Sequence, residues 1–428
     1  MYVCGPTVYD TPHLGHGRAV LVYDVLRRYL EWSGVTVRHV SNVTDIDDKI
    51  IARAAAEGRA WDEVAAAEER TWWGVTDRLG VARPTEAPHC TDYVEAMVET
   101  IAHLQSRGYA YPAADGLYFE VGRVADYGLL THQSLRSLQA GARVEGAPDK
   151  RSPLDFVLWK MAKPGEPSWP SPWGPGRPGW HTECVVMSLD LLGDGFDLHS
   201  GGLDLRFPHH ENERAQAVGL GRDFARYWMH HAFVESGGEK MSKSLGNFTS
   251  LADLLARTDP RAYRLAVLQS HYRKPMEVTP EVLADVERGL ERLDSLGRRV
   301  PDAADPDPDA LSRFRAAMDD DLDTPGAVGL LFDLVRRANV AVETGDREGA
   351  GRLAATVAEV RQALGLTRLD EAHDVDAEAA DLVARRDRAR ADRDFAAADA
   401  LRDELRAKGW VVEDGPDGTR VRRARHAP

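Results

Sequence analysis

Apolar positions change their spacing repeatedly along the chain. An apolar start at Tyr2 and Val3 gives way to a loop containing Pro and Gly. Ala19, Val22, Tyr23, Leu26 and Leu30 then recur at helical spacing, and a second apolar segment runs from Val35 to Val43. Strand, loop, helix, strand is the unit of a parallel α/β sheet, so a Rossmann-like parallel sheet is expected first. From Thr91 to about Leu129 an amphipathic helix, a tight Asp115-Gly116 turn and the strand-like Leu117 to Val121 predict an inserted α+β piece reaching Trp173. The stretch Pro164 to Pro178 is rich in Pro, Gly and Trp and predicts a rigid irregular loop, neither helix nor strand. The α/β pattern resumes at Gly179. From about Leu283 nearly every segment has helical period, broken by Pro301 to Pro308 and by the acidic stretch Leu369 to Glu378. The expected divisions are 1–90 with 175–220, then 91–174, 221–290, 291–370 and 379–428.

Composition narrows the classes. A chain of 428 residues can bury several cores, in keeping with this division. Its net charge of −15 excludes a protein coated overall with nucleic acid, but it leaves room for a local patch. Cys4, Cys90 and Cys184 are too few and too scattered for a disulfide framework, so reduced thiols are expected. No apolar run reaches the roughly 20 residues of a membrane span, and the N-terminus lacks the basic start and apolar stretch of a signal peptide. A cytoplasmic monomer is expected.

Three clusters could carry chemistry. Pro12-His13-Leu14-Gly15-His16-Gly17-Arg18 falls between a predicted strand and a helix N-terminus. There, unpaired N–H groups and two imidazoles can meet phosphate oxygens while Gly15 leaves room for a flat base. Glu239-Lys240-Met241-Ser242-Lys243-Ser244-Leu245-Gly246-Asn247 follows Ser236-Gly237-Gly238, and its two lysines could close over a triphosphate. Each is also what a solvated loop offers. Together they resemble HIGH and KMSKS, the paired nucleotide-binding signatures of class I aminoacyl-tRNA synthetases. In the third cluster, His209 and Glu213 share one helix face. With Cys4 at a strand end and Cys184 where the α/β pattern returns, they would make a donor set suited to zinc, although both cysteines also fit as small buried apolar residues.

Four further segments sharpen the resemblance. Cys4-Gly5-Pro6-Thr7-Val8-Tyr9-Asp10, Asn42 to Lys49, Gly176 to His181 and Phe207 to Glu213 together resemble the cysteinyl-tRNA synthetase family. Asp321-Leu322-Asp323-Thr324-Pro325 extends the similarity into the helical part. The resemblance implies a Rossmann catalytic domain with a connective insertion, a region around the KMSKS loop, a DALR-like helical bundle and a small C-terminal anticodon-binding module. It implies one zinc held by Cys4, Cys184, His209 and Glu213, with Thr44 and Trp180 lining the cysteine pocket. His13, His16, Lys240 and Lys243 would serve catalysis, and these together with Gly15, Met241, Ser242 and Ser244 would bind ATP, which arrives with magnesium. The partners would be L-cysteine, ATP and the cysteine tRNA, with Arg390, Asp399 and Asp414 at anticodon-contacting positions. Arg422, Arg423 and Arg425 give the end of the chain a basic character that fits a phosphate-contacting patch.

A metal suits this substrate. A hydrophobic pocket separates side chains differing by one small group by only roughly 1–3 kcal/mol, whereas zinc favours thiolate over hydroxyl. Two rivals remain at this point. One is a ligase joining cysteine to an amino sugar in mycothiol synthesis, which shares these motifs without an anticodon module. The other is a catalytically silent RNA-binding paralogue. The chain departs from the family in a shorter segment before Cys4 and in Thr182, Val185, Val186 and Ser200.

Overall fold

The structure, a computed structural model, describes residues 1–134, 137, 149–236, 239–240, 250–300, 304–367, 377–392, 394–408, 410–415 and 418–423. The chain forms two units, Met1–Ala252 with Ser270–Val278, and Asp253–Gln269 with Thr279–Pro428.

The first unit is built on a parallel sheet of four strands, β1 (Tyr2–Val3), β2 (Val40–Ser41), β3 (Leu198–Gly202) and β4 (Tyr227–His231), in the order β2-β1-β3-β4. The helix α1 (Leu14–Trp32) leads from β1 to β2 and buries Leu14, Leu21, Val22, Val25, Leu26 and Tyr29; of the positions that the periodicity marks, Val22, Tyr23 and Leu26 are buried and Ala19 and Leu30 only partly so. Tyr23, also buried on α1, donates its hydroxyl to the Gly201 carbonyl at 2.6 Å and ties the helix to β3. Because the chain leaves β1 toward β2 on one side and meets β3 on the other, the strand order reverses at β1, which opens a crevice at the strands' C-terminal ends. Only Val40 and Ser41 of the expected Val35–Val43 strand join the ladder. Farther along, Thr44 bridges Thr7 and Val43 bridges His89 in isolated pairs.

The inserted region is an antiparallel sheet of Ala110–Ala113, Gly116–Phe119, Phe156–Met161 and Gly176–Pro178, covered by the helix Val94–Ser106. Its core includes Ile101, Leu104, Phe119, Leu158 and Trp159. The last strand corrects the expectation of an irregular loop as far as Pro178. Gly176 is the reason: a Cβ there would stand 2.4 Å from the Lys160 carbonyl oxygen and 2.5 Å from the Trp159 indole nitrogen, so only glycine brings this backbone onto the ladder.

The second unit is helical, as expected, and then ends in strands. Pro280–Arg299, Pro308–Asp319, Thr324–Thr344 and Arg347–Ala363 follow one another, capped by Thr279, Asp307, Asp323 and Asp346, whose side chains each accept an N–H of the first turn. A buried network joins Arg261 to Asp259 and Asp294, both at 2.8 Å, and Arg361 to Asp294 at 2.6 Å. The helices Ala377–Ala391 and Phe395–Ala407 then pack Leu382, Leu401 and Leu405 against Trp410 of an antiparallel hairpin, Trp410–Gly415 with Gly418–Arg423. Arg422 and Arg423 therefore sit on a strand, and Arg425 lies outside the described residues. Among the described residues no helix is long and apolar enough to cross a membrane.

Candidate active site and metal centre

The crevice at β1 is where the chemistry-bearing residues gather. Gly5 follows β1 and passes so close to Asn42 that a Cβ would lie 1.6 Å from the Asn42 carbonyl oxygen. Its N–H donates to Asn42 Oδ1 at 2.8 Å. Farther along, His13 caps α1, and its N–H donates to His16 Nδ1 at 3.2 Å. The two rings stack at 3.9 Å. Gly15 permits this, since a Cβ there would meet His13 Cε1 at 2.8 Å. Two imidazoles thus stand at the positive end of a 19-residue helix, facing a cleft of about 570 Å³.

The same cleft is lined by Cys4, Cys184, His209, Thr44 and Trp180. Cys184 lies on the helix α2 (Trp180–Leu192), while Glu213 lies on α3 (Glu211–Leu220). His209 belongs to a helical turn, Arg206–His210, interrupted by extended backbone at Phe207, so His209 and Glu213 are not on one regular helix as expected. Their side chains nevertheless meet, with His209 Nε2 3.0 Å from Glu213 Oε1. The two thiol sulfurs are 3.9 Å apart, Cys184 Sγ is 3.6 Å from His209 Nε2, and Cys4 Sγ is 3.8 Å from Glu213 Oε1. Tetrahedral zinc, with bonds of about 2.3 Å to sulfur and 2.0–2.2 Å to nitrogen or oxygen, spaces its donors about 3.3–3.8 Å apart. The four donors fit such an ion in chemistry, and at 3.0–3.9 Å their spacings lie close to that range. A second group, Cys4, His199, His210 and Glu213, is also close together. In it His199 Nε2 meets the other Glu213 oxygen at 2.5 Å, and His210 places Nε2 3.4 Å from Cys4 Sγ while its Nδ1 meets His230 at 2.8 Å.

Burial opposes charge on all these groups, and neighbours decide the outcome. Glu213, facing His199 and His209, is held well below the ordinary carboxylate range. His209, facing Glu213 and Cys184, is raised to about 10. Hydrogen bonds from Cys4 and His209 bring Cys184 down to about 6, whereas burial, with Cys184 and Glu213 alongside, pushes Cys4 up. A thiol with a lowered pKa and a carboxylate facing one small space form a donor set that suits a cation.

Trp180 begins α2, is 42% exposed, and lays its ring 4.1 Å from that of His209. Thr44 is buried, with its hydroxyl between Asn42 and Glu183. Lys240 lies on a short strand with its backbone paired to Glu235. Met241, Ser242, Lys243 and Ser244 lie outside the described residues. In the second unit Arg390 and Asp399 are exposed on successive helices, Asp399 paired with Arg402 at 3.1 Å, and Asp414 is on the hairpin opposite Thr419. Of the four departing positions, Thr182 donates to Gln216 at 2.9 Å, Val185 and Val186 are buried in the core, and Ser200 is buried with its hydroxyl unpartnered, while its carbonyl accepts from the Cys4 N–H at 3.0 Å. Nothing in the sequence marks His199 or Glu183, and although Asn42 opens the segment Asn42 to Lys49, its spacing gives no sign that it braces Gly5.

Three families match consecutive parts of the chain. Residues 1–288 match the class I (C) catalytic domain of tRNA synthetases, 313–368 the DALR domain, and 372–422 the cysteinyl-tRNA ligase anticodon-binding domain. The cysteine–tRNA ligase of Halorhodospira halophila is 48% identical over 99% of this chain and 95% of its own length. That of Alkalilimnicola ehrlichii is 47% identical with the same coverage. Among solved structures, Mycobacterium tuberculosis methionyl-tRNA synthetase in complex with methionyl-adenylate aligns with a TM-score of 0.63 at 17% identity, covering 85% of this chain and 89% of that one. The leucyl enzyme of Agrobacterium radiobacter in a ternary complex aligns at 0.64 and 12%, covering 85% and 83%. These two likenesses speak to the fold. The catalytic-domain match over residues 1–288, with near-half identity along almost the whole length of curated relatives, makes this chain a member of the cysteine–tRNA ligase family.

Proposed function

We propose that Cys4, Cys184, His209 and Glu213 hold one zinc ion that selects L-cysteine in the cleft where ATP is bound. The chain is an aminoacyl-tRNA ligase acting with ATP on cysteine and tRNA. The observation that carries the zinc reading is the convergence of two thiols, an imidazole and a carboxylate from distant parts of the chain, within 4.8 Å of one another, at the cleft that the stacked histidines also line. Zinc bound there supplies a soft Lewis acid for the substrate sulfur, lowering the thiol's pKa from about 8.5 so that the anion binds at neutral pH, which serine's hydroxyl does not match.

Around that anchor the chain's own residues orient the rest. Thr44 and Trp180 bound the space for the amino acid. His13 and His16, at the N-terminal end of α1, bind and neutralise the ATP phosphates while a carboxylate oxygen of cysteine attacks the α-phosphorus in line and pyrophosphate departs. Gly15 leaves space for the base, and Lys240 and Lys243, with Met241, Ser242 and Ser244, approach the triphosphate from their own segment. Magnesium accompanies ATP, without a dedicated protein cage. A terminal tRNA hydroxyl then attacks the adenylate carbonyl and AMP leaves. Arg390, Asp399 and Asp414 contact the anticodon.

The match of residues 372–422 to an anticodon-binding domain speaks against an amino-sugar ligase. The test is ATP–pyrophosphate exchange followed by tRNA charging, with metal content measured on the same sample. Cysteine-dependent exchange, charging and one zinc per chain are expected. Exchange supported equally by serine, or a folded sample free of zinc, would overturn the zinc reading.

A further inference from the structure

The hydrogen bonds behind Thr44 form a chain in which each donor fixes the next. It begins at a backbone N–H, which can only donate. Gly5 gives that proton to Asn42 Oδ1 at 2.8 Å, so the other end of the amide, the donor Nδ2, must face Thr44, where it lies 3.1 Å from Oγ1. A hydroxyl has one proton and two lone pairs. One lone pair of Thr44 is taken by Asn42, and its proton goes to Glu183 Oε2 at 2.9 Å. Glu183 is 3% exposed and lies in the first turn of α2, three residues after Trp180. The Cys90 thiol, left without a role by the sequence, lies 3.6 Å from Thr44 Oγ1 and against the same Glu183 oxygen.

Resting on the assignment of Thr44 to the cysteine pocket, we propose that Glu183 is a positioning residue for amino acid recognition. By accepting the Thr44 proton it leaves the hydroxyl to present only an acceptor lone pair to the cleft. An acceptor recognises a donor, and the donor of an amino acid substrate is its α-ammonium group, which has three protons and no lone pair. Thr44 lines the cleft of about 570 Å³. Glu183 instead borders a separate polar cavity of about 110 Å³ with Cys90 and Asp48, so its effect on substrate passes through Thr44. Without Glu183 the hydroxyl is released to turn its own proton toward the ammonium, where two donors oppose each other.

The test measures KM for cysteine, KM for ATP and kcat in pyrophosphate exchange, with zinc content, for Glu183→Leu, Glu183→Gln, Thr44→Val and the Glu183→Leu/Thr44→Val double variant. Glu183→Leu should raise the cysteine KM about tenfold, the scale of a weakened hydrogen bond to a charged group, with ATP KM and zinc content unchanged. Glu183→Gln keeps an oxygen that accepts from Thr44 and should recover most of that loss. The double variant should be no worse than Thr44→Val, because Glu183 then has nothing left to orient. Glu183→Met, of similar length and without an acceptor, is read in the same way if the leucine variant does not fold. The proposal is overturned if Glu183→Leu adds its full factor on top of Thr44→Val, if glutamine is as damaging as leucine, or if the loss follows zinc content. A Thr44→Val variant with unchanged cysteine KM sinks the pocket assignment and the proposal together. Damage from Thr44→Val with a silent Glu183→Leu and Glu183→Met sinks the proposal alone.

Discussion

His199 shows how much of this site depends on residues that hold no substrate. Its ring is fully buried and meets the Glu213 oxygen turned away from the thiols, so it fixes which carboxylate oxygen faces Cys4 and His209. Partners of this kind are worth about 10–100-fold in metal affinity. His199→Ala is expected to weaken zinc retention by that factor in a chelator competition, with ATP affinity little changed. His39 carries a different prediction. It is 8% exposed, neither ring nitrogen has a hydrogen-bond partner, and burial, with Arg27 nearby, lowers its pKa from 6.5 to about 4. Between pH 6.5 and 4 the unfolded chain binds a proton that the folded chain refuses, so stability falls as the pH drops through that window, by about 3 kcal/mol at its end. Above pH 6.5 both states are neutral and the residue contributes nothing. His39→Leu should flatten that part of a stability-against-pH curve measured by denaturant titration. Cys4, Cys184, His209 and Glu213 could be grouped from the sequence because they fall in segments that resemble one family and are of types that together suit zinc. His199 could not, because a histidine within a strand has many ordinary uses.

Close backbone approach decides the elements. A Cβ on Gly179 would lie 2.0 Å from the Val157 carbonyl oxygen, where the inserted sheet hands the chain to α2. Gly179→Ala must therefore push the start of α2 away from the sheet, and with it Trp180. A loss of about 1–3 kcal/mol is expected from such overpacking, together with a raised cysteine KM, measured by thermal unfolding and by exchange kinetics. A variant as stable and active as the parent would show that this approach is not needed. In the helical unit Asp307 accepts from the N–H groups of Asp309 and Ala310. Asp307→Ala is expected to cost about 1 kcal/mol and to lower amide protection in the first turn of Pro308–Asp319 under hydrogen exchange. The helices were legible because a 3.6-residue period repeats over several turns and ends on caps. The strands β1 and β2, at two residues each, are too short to show a period. Gly176–Pro178 reads as loop because proline and glycine usually break a ladder, and here the glycine is what admits the strand to it.

Over the whole molecule, each unit carries its own core. The helices Ala377–Ala391 and Phe395–Ala407 with the terminal hairpin enclose Ala379, Leu382, Leu401, Leu405 and Trp410. Removing residues 377–428 is therefore expected to leave cysteine-dependent pyrophosphate exchange intact while tRNA charging falls steeply. Loss of exchange in a folded truncated chain would contradict that separation. The sequence by itself determined the class of fold and the helical second half, and it marked the side chains proposed for metal and nucleotide, because periodicity and chemically unusual residues are local properties that survive without coordinates. Tertiary structure alone decided which oxygen of Glu213 faces the thiols, why Asn42 and Glu183 stand behind Thr44, and that a Pro/Gly stretch closes a sheet. Those depend on distances between residues up to 209 positions apart, and hydrogen-bond geometry, unlike residue type, exists only once the chain has folded.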